Sequence, residues 1–80
     1  MSSRTVVRTF IAETFFVEDF QDSDSFLQTG IIDSMGMLEL VAFLERTYTL
    51  KIPDDELVPE NLDSVDSICR FLAGKQVQAA

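Results

Sequence analysis

The chain has 80 residues, one cysteine, no histidine, 46% apolar residues and a formal net charge of −8. This length holds one domain with a small core, and the apolar share argues for a folded globule rather than disorder. The absence of histidine excludes Ser-His-Asp and Cys-His catalysis and the usual zinc sites, and no apolar run approaches the roughly 20 residues that span a bilayer.

Helical spacing begins in the first predicted element, over residues 4–17, where Val7, Phe10, Ile11, Thr14 and Phe15 share a stripe. Ser2 or Ser3 suits its first turn as a cap. Residues 18–33 read as a long connection, which a small domain tolerates when the segment is functional. Phe20, Phe26, Leu27, Ile31 and Ile32 punctuate it, so it is expected to be ordered in part. The second long helix is expected over 34–49, with Leu38, Val41, Leu44 and Tyr48 inward and Asp33 as N-cap. A short third helix is read over 52–58, entered through Pro53 and stopped by Pro59. Asp63 or Ser64 caps a last helix over 64–74, with Val65, Ile68, Cys69 and Leu72 inward, Gly74 at its end and a frayed tail from Lys75 to Ala80. Cys69 on that inner stripe reads as a small core residue rather than a reactive thiol.

These elements predict an all-α fold: a small antiparallel four-helix bundle with three long helices, a short third helix and a long loop between the first two. Residues 1–80 form a single domain. The expected core is Phe10, Phe15, Leu38, Val41, Leu44, Ile52, Leu62, Val65, Ile68 and Leu72.

Charge is distributed unevenly. No Lys or Arg occurs between Arg8 and Arg46, whereas that stretch holds Glu13, Glu18, Asp19, Asp22, Asp24, Asp33, Glu39 and Glu45. The acids and bases outside it cancel, so this segment carries the net charge. Such a field repels nucleic acid and anionic membranes and steers basic partners to one side. Asp22-x-Asp24 fails as a calcium loop, because Leu27 and Asp33 stand where glycine and glutamate are needed. No metal site is expected.

Asp-Ser occurs five times, and four of the five read as caps or turns. Only Ser34 follows a Gly-Ile-Ile-Asp approach, opens the most amphipathic helix, stands beside an outward Met35 and lies within the acidic stretch. Gly30-Ile31-Ile32-Asp33-Ser34-Met35-Gly36-Met37-Leu38-Glu39-Leu40 resembles the Asp-Ser-Leu segment of acyl and peptidyl carrier proteins. Phe26-Leu27-Gln28-Thr29-Gly30, Lys51-Ile52-Pro53-Asp54-Asp55-Glu56-Leu57 and Glu60-Asn61-Leu62-Asp63-Ser64-Val65 resemble further segments of that family, in the same order. Met35 replaces the commoner Leu, a volume-conserving change. Two residues separate Gly30 from Asp33, where fatty-acid carriers have one. That spacing looks more like free-standing D-alanyl, aminoacyl and unusual extender-unit carriers.

The resemblance implies that Ser34, preceded by Asp33, carries a 4′-phosphopantetheine arm that holds acyl or aminoacyl groups as thioesters, in a fatty-acid, polyketide or nonribosomal-peptide-like pathway. It implies a carrier that is not itself an enzyme. Its implied partners are a phosphopantetheinyl transferase, a loading enzyme and downstream acyl-processing enzymes, met as a cytoplasmic monomer without nucleic acid or membrane. Met35, Met37, Glu39 and Glu45 are the candidate docking residues. The rival reading is a helical interaction module that docks basic partners through its acidic face and carries no prosthetic group.

Overall fold

Short polar side chains start every described α-helix but the fourth. In a computed structural model that describes residues 2–79, with side chains through Lys75, Ser2 Oγ accepts from the Thr5 amide to open α1 (Ser3–Phe15). Ser25 Oγ accepts from the Gln28 amide to open α2 (Phe26–Thr29). Asp33 Oδ1 accepts from the Gly36 amide to open α3 (Ser34–Tyr48). Each bond satisfies one of the amides a helix start leaves without a partner. A 3₁₀ turn at Asp54–Glu56 and α4 (Pro59–Leu62) follow, and Ser64 Oγ accepts from the Ser67 amide at the start of α5 (Val65–Ala79).

The all-helical class and the three long helices agree with the sequence expectation. The short elements differ. The connection between the first two long helices contains α2, closed by Gly30 in a left-handed conformation at φ 78°. The expected third helix over 52–58 is only the 3₁₀ turn, and Pro59 begins α4 instead of ending a helix. Proline suits N1 because that position needs no amide proton and favours its fixed φ. Gly74 does not end the last helix, which runs to Ala79. Ala80, the end of the tail expected to fray, lies outside the described residues.

α1 and α3 pack antiparallel. Phe10 stacks on Phe43 with ring centroids 3.9 Å apart, and Phe15 lies against Gly36 about two turns back along α3. The fully buried side chains of the long helices are Val7 and Ile11 of α1, Leu40 and Leu44 of α3, and Val65, Ile68 and Leu72 of α5. Phe20, Phe26 and Ile32 join them from the connection, with Ile52 and Leu62. This corrects the expected facing of α3. Leu38 is 63% exposed, while Val41 and Tyr48 are half-buried. The inward stripe is Gly36, Leu40 and Leu44. Phe10 and Phe15 flank the core rather than filling it, because α1 turns Val7 and Ile11 to its centre.

The connection is held by carboxylates. Asp22 accepts from Arg4 and Arg8, both at 2.6 Å, and Arg4 also reaches Asp66 at 2.7 Å. The Asp66 amide donates to the Asp22 carbonyl, tying the connection to α5. Arg8 covers the Phe20 ring at 4.2 Å and donates to the Phe20 carbonyl. Farther along, Asp63 accepts from Ser25 Oγ and from the Leu27 amide, while its carbonyl accepts from the Phe26 amide. Asp63 therefore holds the connection, and Ser64 is the cap of α5. Single exposed ion pairs contribute little; here shared partners and backbone bonds fix one geometry. Desolvation works to raise the Asp22 carboxyl, but the hydrogen bonds from Arg4 and Arg8 outweigh it and hold it below the usual carboxylate value.

The C-caps of α1 and α3, Phe16 and Thr49, are both non-glycine residues in left-handed conformations. Phe16 adopts φ 58°, ψ 46°, a left-handed conformation that costs a non-glycine residue about 1–2 kcal/mol.

Leu44→Ala should cost about 2–5 kcal/mol in urea unfolding, whereas Leu38→Ala should change stability by less than about 0.5 kcal/mol. Equal losses would contradict the facing of α3. Because the folded state holds Asp22 below its ordinary 3.8, its contribution is full above that value and is lost as pH falls through the folded-state pKa. Asp22→Asn should therefore lower stability at neutral pH, and its difference from wild type should shrink on acidification below about pH 4. A difference constant from about pH 6 to 2 would contradict the linkage.

Candidate functional site

Ser34 is the first helical residue of α3 and is exposed. Asp33 serves the turn twice: Oδ1 accepts from the Gly36 amide at 2.7 Å, and the carbonyl accepts from the Met37 amide at 2.9 Å. By helix geometry, the amides of Ser34 and Met35 have no acceptor within the helix and point toward the Ser34 end. The site is thus an accessible hydroxyl at the positive end of a four-turn helix.

Around it the sequence candidates separate. Met35 is 74% exposed and adjoins the hydroxyl. Met37 is half-buried and does two things: it packs on the core and lines a cavity of about 250 Å³ beside Ser34. Leu27, Leu38, Val41 and the 57–59 segment complete most of that apolar wall. Glu39 is exposed on α3. Glu45 lies eleven residues beyond Ser34, about 16 Å along the helix at 1.5 Å per residue. One of its carboxylate oxygens accepts from the Ile52 amide at 2.8 Å, so it also fastens the segment after α3. Cys69 is half-buried; desolvation pushes its thiol up, with Arg4 opposing in part. Asp22 and Asp24 are occupied by Arg4, Arg8 and the Gln21 amide.

The profile of the family described as "Phosphopantetheine attachment site" matches residues 5–72. The chain belongs to this family of phosphopantetheine-binding carrier proteins. It is 34% identical over 67 residues to the D-alanyl carrier protein of Streptococcus pyogenes serotype M5, covering 80% of this chain and 81% of the relative. It is 36% identical over 52 residues to the D-alanyl carrier protein of Streptococcus uberis, covering 65% of each chain. A solved chain with 24% identity and a TM-score of 0.70 covers 89% of this carrier and is itself covered to 91%. It comes from the crystal structure of Bradyrhizobium japonicum glycine:[carrier protein] ligase complexed with cognate carrier protein and an analogue of glycyl adenylate. That likeness shows the shared fold.

The family's prosthetic group is 4′-phosphopantetheine, and the residues of this carrier fit it. A phosphodiester on an exposed hydroxyl at a helix start meets unpaired amides and the helix dipole, a favourable place for an anion. Ser34 would bear the group and the amides of Ser34 and Met35 would face the phosphate, while Leu27 and Leu38 form part of an apolar wall beside Ser34.

Gly36 is a residue that sequence reasoning did not single out. A Cβ there would stand 2.7 Å from Phe15 Cε1, 3.0 Å from Ile32 Cγ2 and 3.3 Å from Asp33 Oδ1. The missing side chain lets the end of α1 press against the first turn of α3. A glycine inside a run of good helix formers was the available signal. Alanine normally stabilises a helix interior over glycine by about 1 kcal/mol. At this position Gly36→Ala should instead destabilise by about 1–3 kcal/mol in chemical denaturation, as overpacking does. A gain in stability would mean that the Phe15 ring yields freely.

Proposed function

We propose that this carrier holds an aminoacyl group as a thioester on phosphopantetheine attached to Ser34. The observation that carries the reading is the exposed Ser34 hydroxyl on the first residue of α3, with Asp33 capping the same turn. When bound, phosphopantetheine supplies a terminal thiol on a flexible arm. The chain's own work is to present Ser34, to favour the phosphate through the helix start by about 0.3–1 kcal/mol, and to offer enzymes a surface to recognise. With no histidine to activate the hydroxyl, the base comes from a separate phosphopantetheinyl transferase.

Aminoacyl cargo is favoured over fatty-acid or polyketide cargo by the D-alanyl carrier relatives and by a fold neighbour solved with a glycine ligase. The gap of two residues between Gly30 and Asp33 agrees. The corresponding partners are a transferase and an ATP-dependent amino-acid ligase that loads the thiol, followed by an enzyme that accepts the aminoacyl group. The chain acts as a carrier and leaves catalysis to these partners. A cytoplasmic monomer suits this role, and no described helix is long and apolar enough to cross a membrane. Exposed Met35, Leu38 and Glu39 are the docking residues nearest Ser34; Met37 contributes through the cavity wall.

Incubation with coenzyme A and a broad-specificity phosphopantetheinyl transferase should add one phosphopantetheine to wild type and none to Ser34→Ala, as read by intact-protein mass spectrometry. Circular dichroism should show both proteins folded, because the Ser34 side chain is outside the core. Modification of Ser34→Ala would move the attachment elsewhere, and an unmodified, folded wild type would favour the interaction module.

A further inference from the structure

Four large hydrophobic side chains are exposed among the described residues: Phe16 at 90%, Met35 at 74%, Leu38 at 63% and Leu27 at 43%. They share one end of the molecule. Leu27 and Leu38 line the cavity that includes Ser34, and Met35 follows Ser34 directly. Phe16 reaches the same end by another route. The ring of Phe15 abuts Gly36 in the first turn of α3, so the next residue of α1 stands beside the turn that bears Ser34.

Packing does not explain the ring of Phe16, whose backbone closes α1. It is the most exposed of the four, and it occupies a left-handed backbone position at φ 58° that glycine would fill with less strain. Thr49 closes α3 in the same left-handed way, so this backbone ends a helix, and it is the exposed aromatic ring beside the Ser34 turn that calls for a use. The charges nearby point to the partner's chemistry. Glu13, Glu18 and Asp19 are exposed around Phe16, Asp33 and Glu39 are exposed near Ser34, and no base occurs between Arg8 and Arg46. The exposed charges that the α1 end and the first half of α3 place on this rim are therefore all acidic, while on the 57–59 side of the cavity Glu56 is paired with Lys75. Asp22 is likewise paired, with Arg4 and Arg8.

We infer that Phe16 is a docking anchor for the phosphopantetheinyl transferase, extending the contact surface from α3 onto the end of α1. This rests on the carrier reading above. An enzyme that modifies the Ser34 hydroxyl must bring its own active site to that oxygen and so covers the residues immediately around it. Enzymes that act on the distant thiol can sit farther off. A transferase must also hold the phosphates of coenzyme A, which demands cationic groups at its cleft. An apolar pocket rimmed by Lys or Arg complements Phe16 and its acidic border.

The test is steady-state transfer from coenzyme A by a broad-specificity transferase, with the carrier varied and Tm measured on each protein. Phe16→Gly should raise KM for the carrier about tenfold, as loss of an aromatic anchor does, with kcat within about twofold. Its Tm should hold or rise, because glycine relieves the left-handed strain. Phe16→Tyr should keep the wild-type KM, and the wild-type KM should rise with ionic strength. An unchanged KM for Phe16→Gly would overturn the inference, as would a lower Tm with kcat and KM changed together. Sedimentation showing wild-type dimers that Phe16→Gly abolishes would assign the surface to a second copy instead. Failure of the wild type to be modified would overturn the carrier reading, and this inference with it; normal modification of Phe16→Gly would overturn this inference alone.

Discussion

Two carboxylates, Asp22 and Asp63, hold the long connection that delivers Asp33 and Ser34 to the start of α3. Asp22 gathers Arg4 and Arg8 from α1 and receives the Asp66 amide from α5 through its carbonyl. Asp63 does the same for the second half, binding Ser25, Phe26 and Leu27. Phe20, just before the first fastening, and Phe26, within the second, enter the core. A connection of this length would otherwise carry a large conformational entropy, and the first turn of α3 would have no fixed approach. The polar bonds set the path, and aromatic burial supplies the main driving force.

α3 divides its apolar residues between two tasks. Leu40 and Leu44 face the core, while Met35 and Leu38 face solvent at the Ser34 end. A helix with apolar residues on more than one side would be a solubility risk in an isolated domain. In the docking we propose, the acidic residues around the exposed patch would oppose self-association by like-charge repulsion and favour a basic partner. Gly36 joins the two tasks, since its missing side chain lets α1 buttress the turn that presents Ser34.

Much of this was legible in the residues. Three long amphipathic stretches, the Asp33 cap and the isolation of Ser34 among five Asp-Ser pairs all follow from local rules of spacing and capping. The 3₁₀ turn and α4 were not legible in the same way. Pro59 can stop one helix or start another, and local chemistry permits both. The roles of Asp63 and Ser64 were equally open, because either can cap α5 and only the position of Ser25 and Leu27 decides which one is free to do so.

The sequence by itself determined the helical class, the acidic stretch without bases and Ser34 at a helix start, because each depends on neighbours within a few positions. Only the tertiary structure decided which face of α3 is buried. Met35, Met37, Leu38, Leu40, Val41, Phe43 and Leu44 fit more than one helical stripe, and the choice falls to α1, whose Phe10 and Phe15 meet Phe43 and Gly36. It also decided that Phe16 stands at the Ser34 end, since residues 16 and 34 are brought together by packing between helices rather than by proximity along the chain.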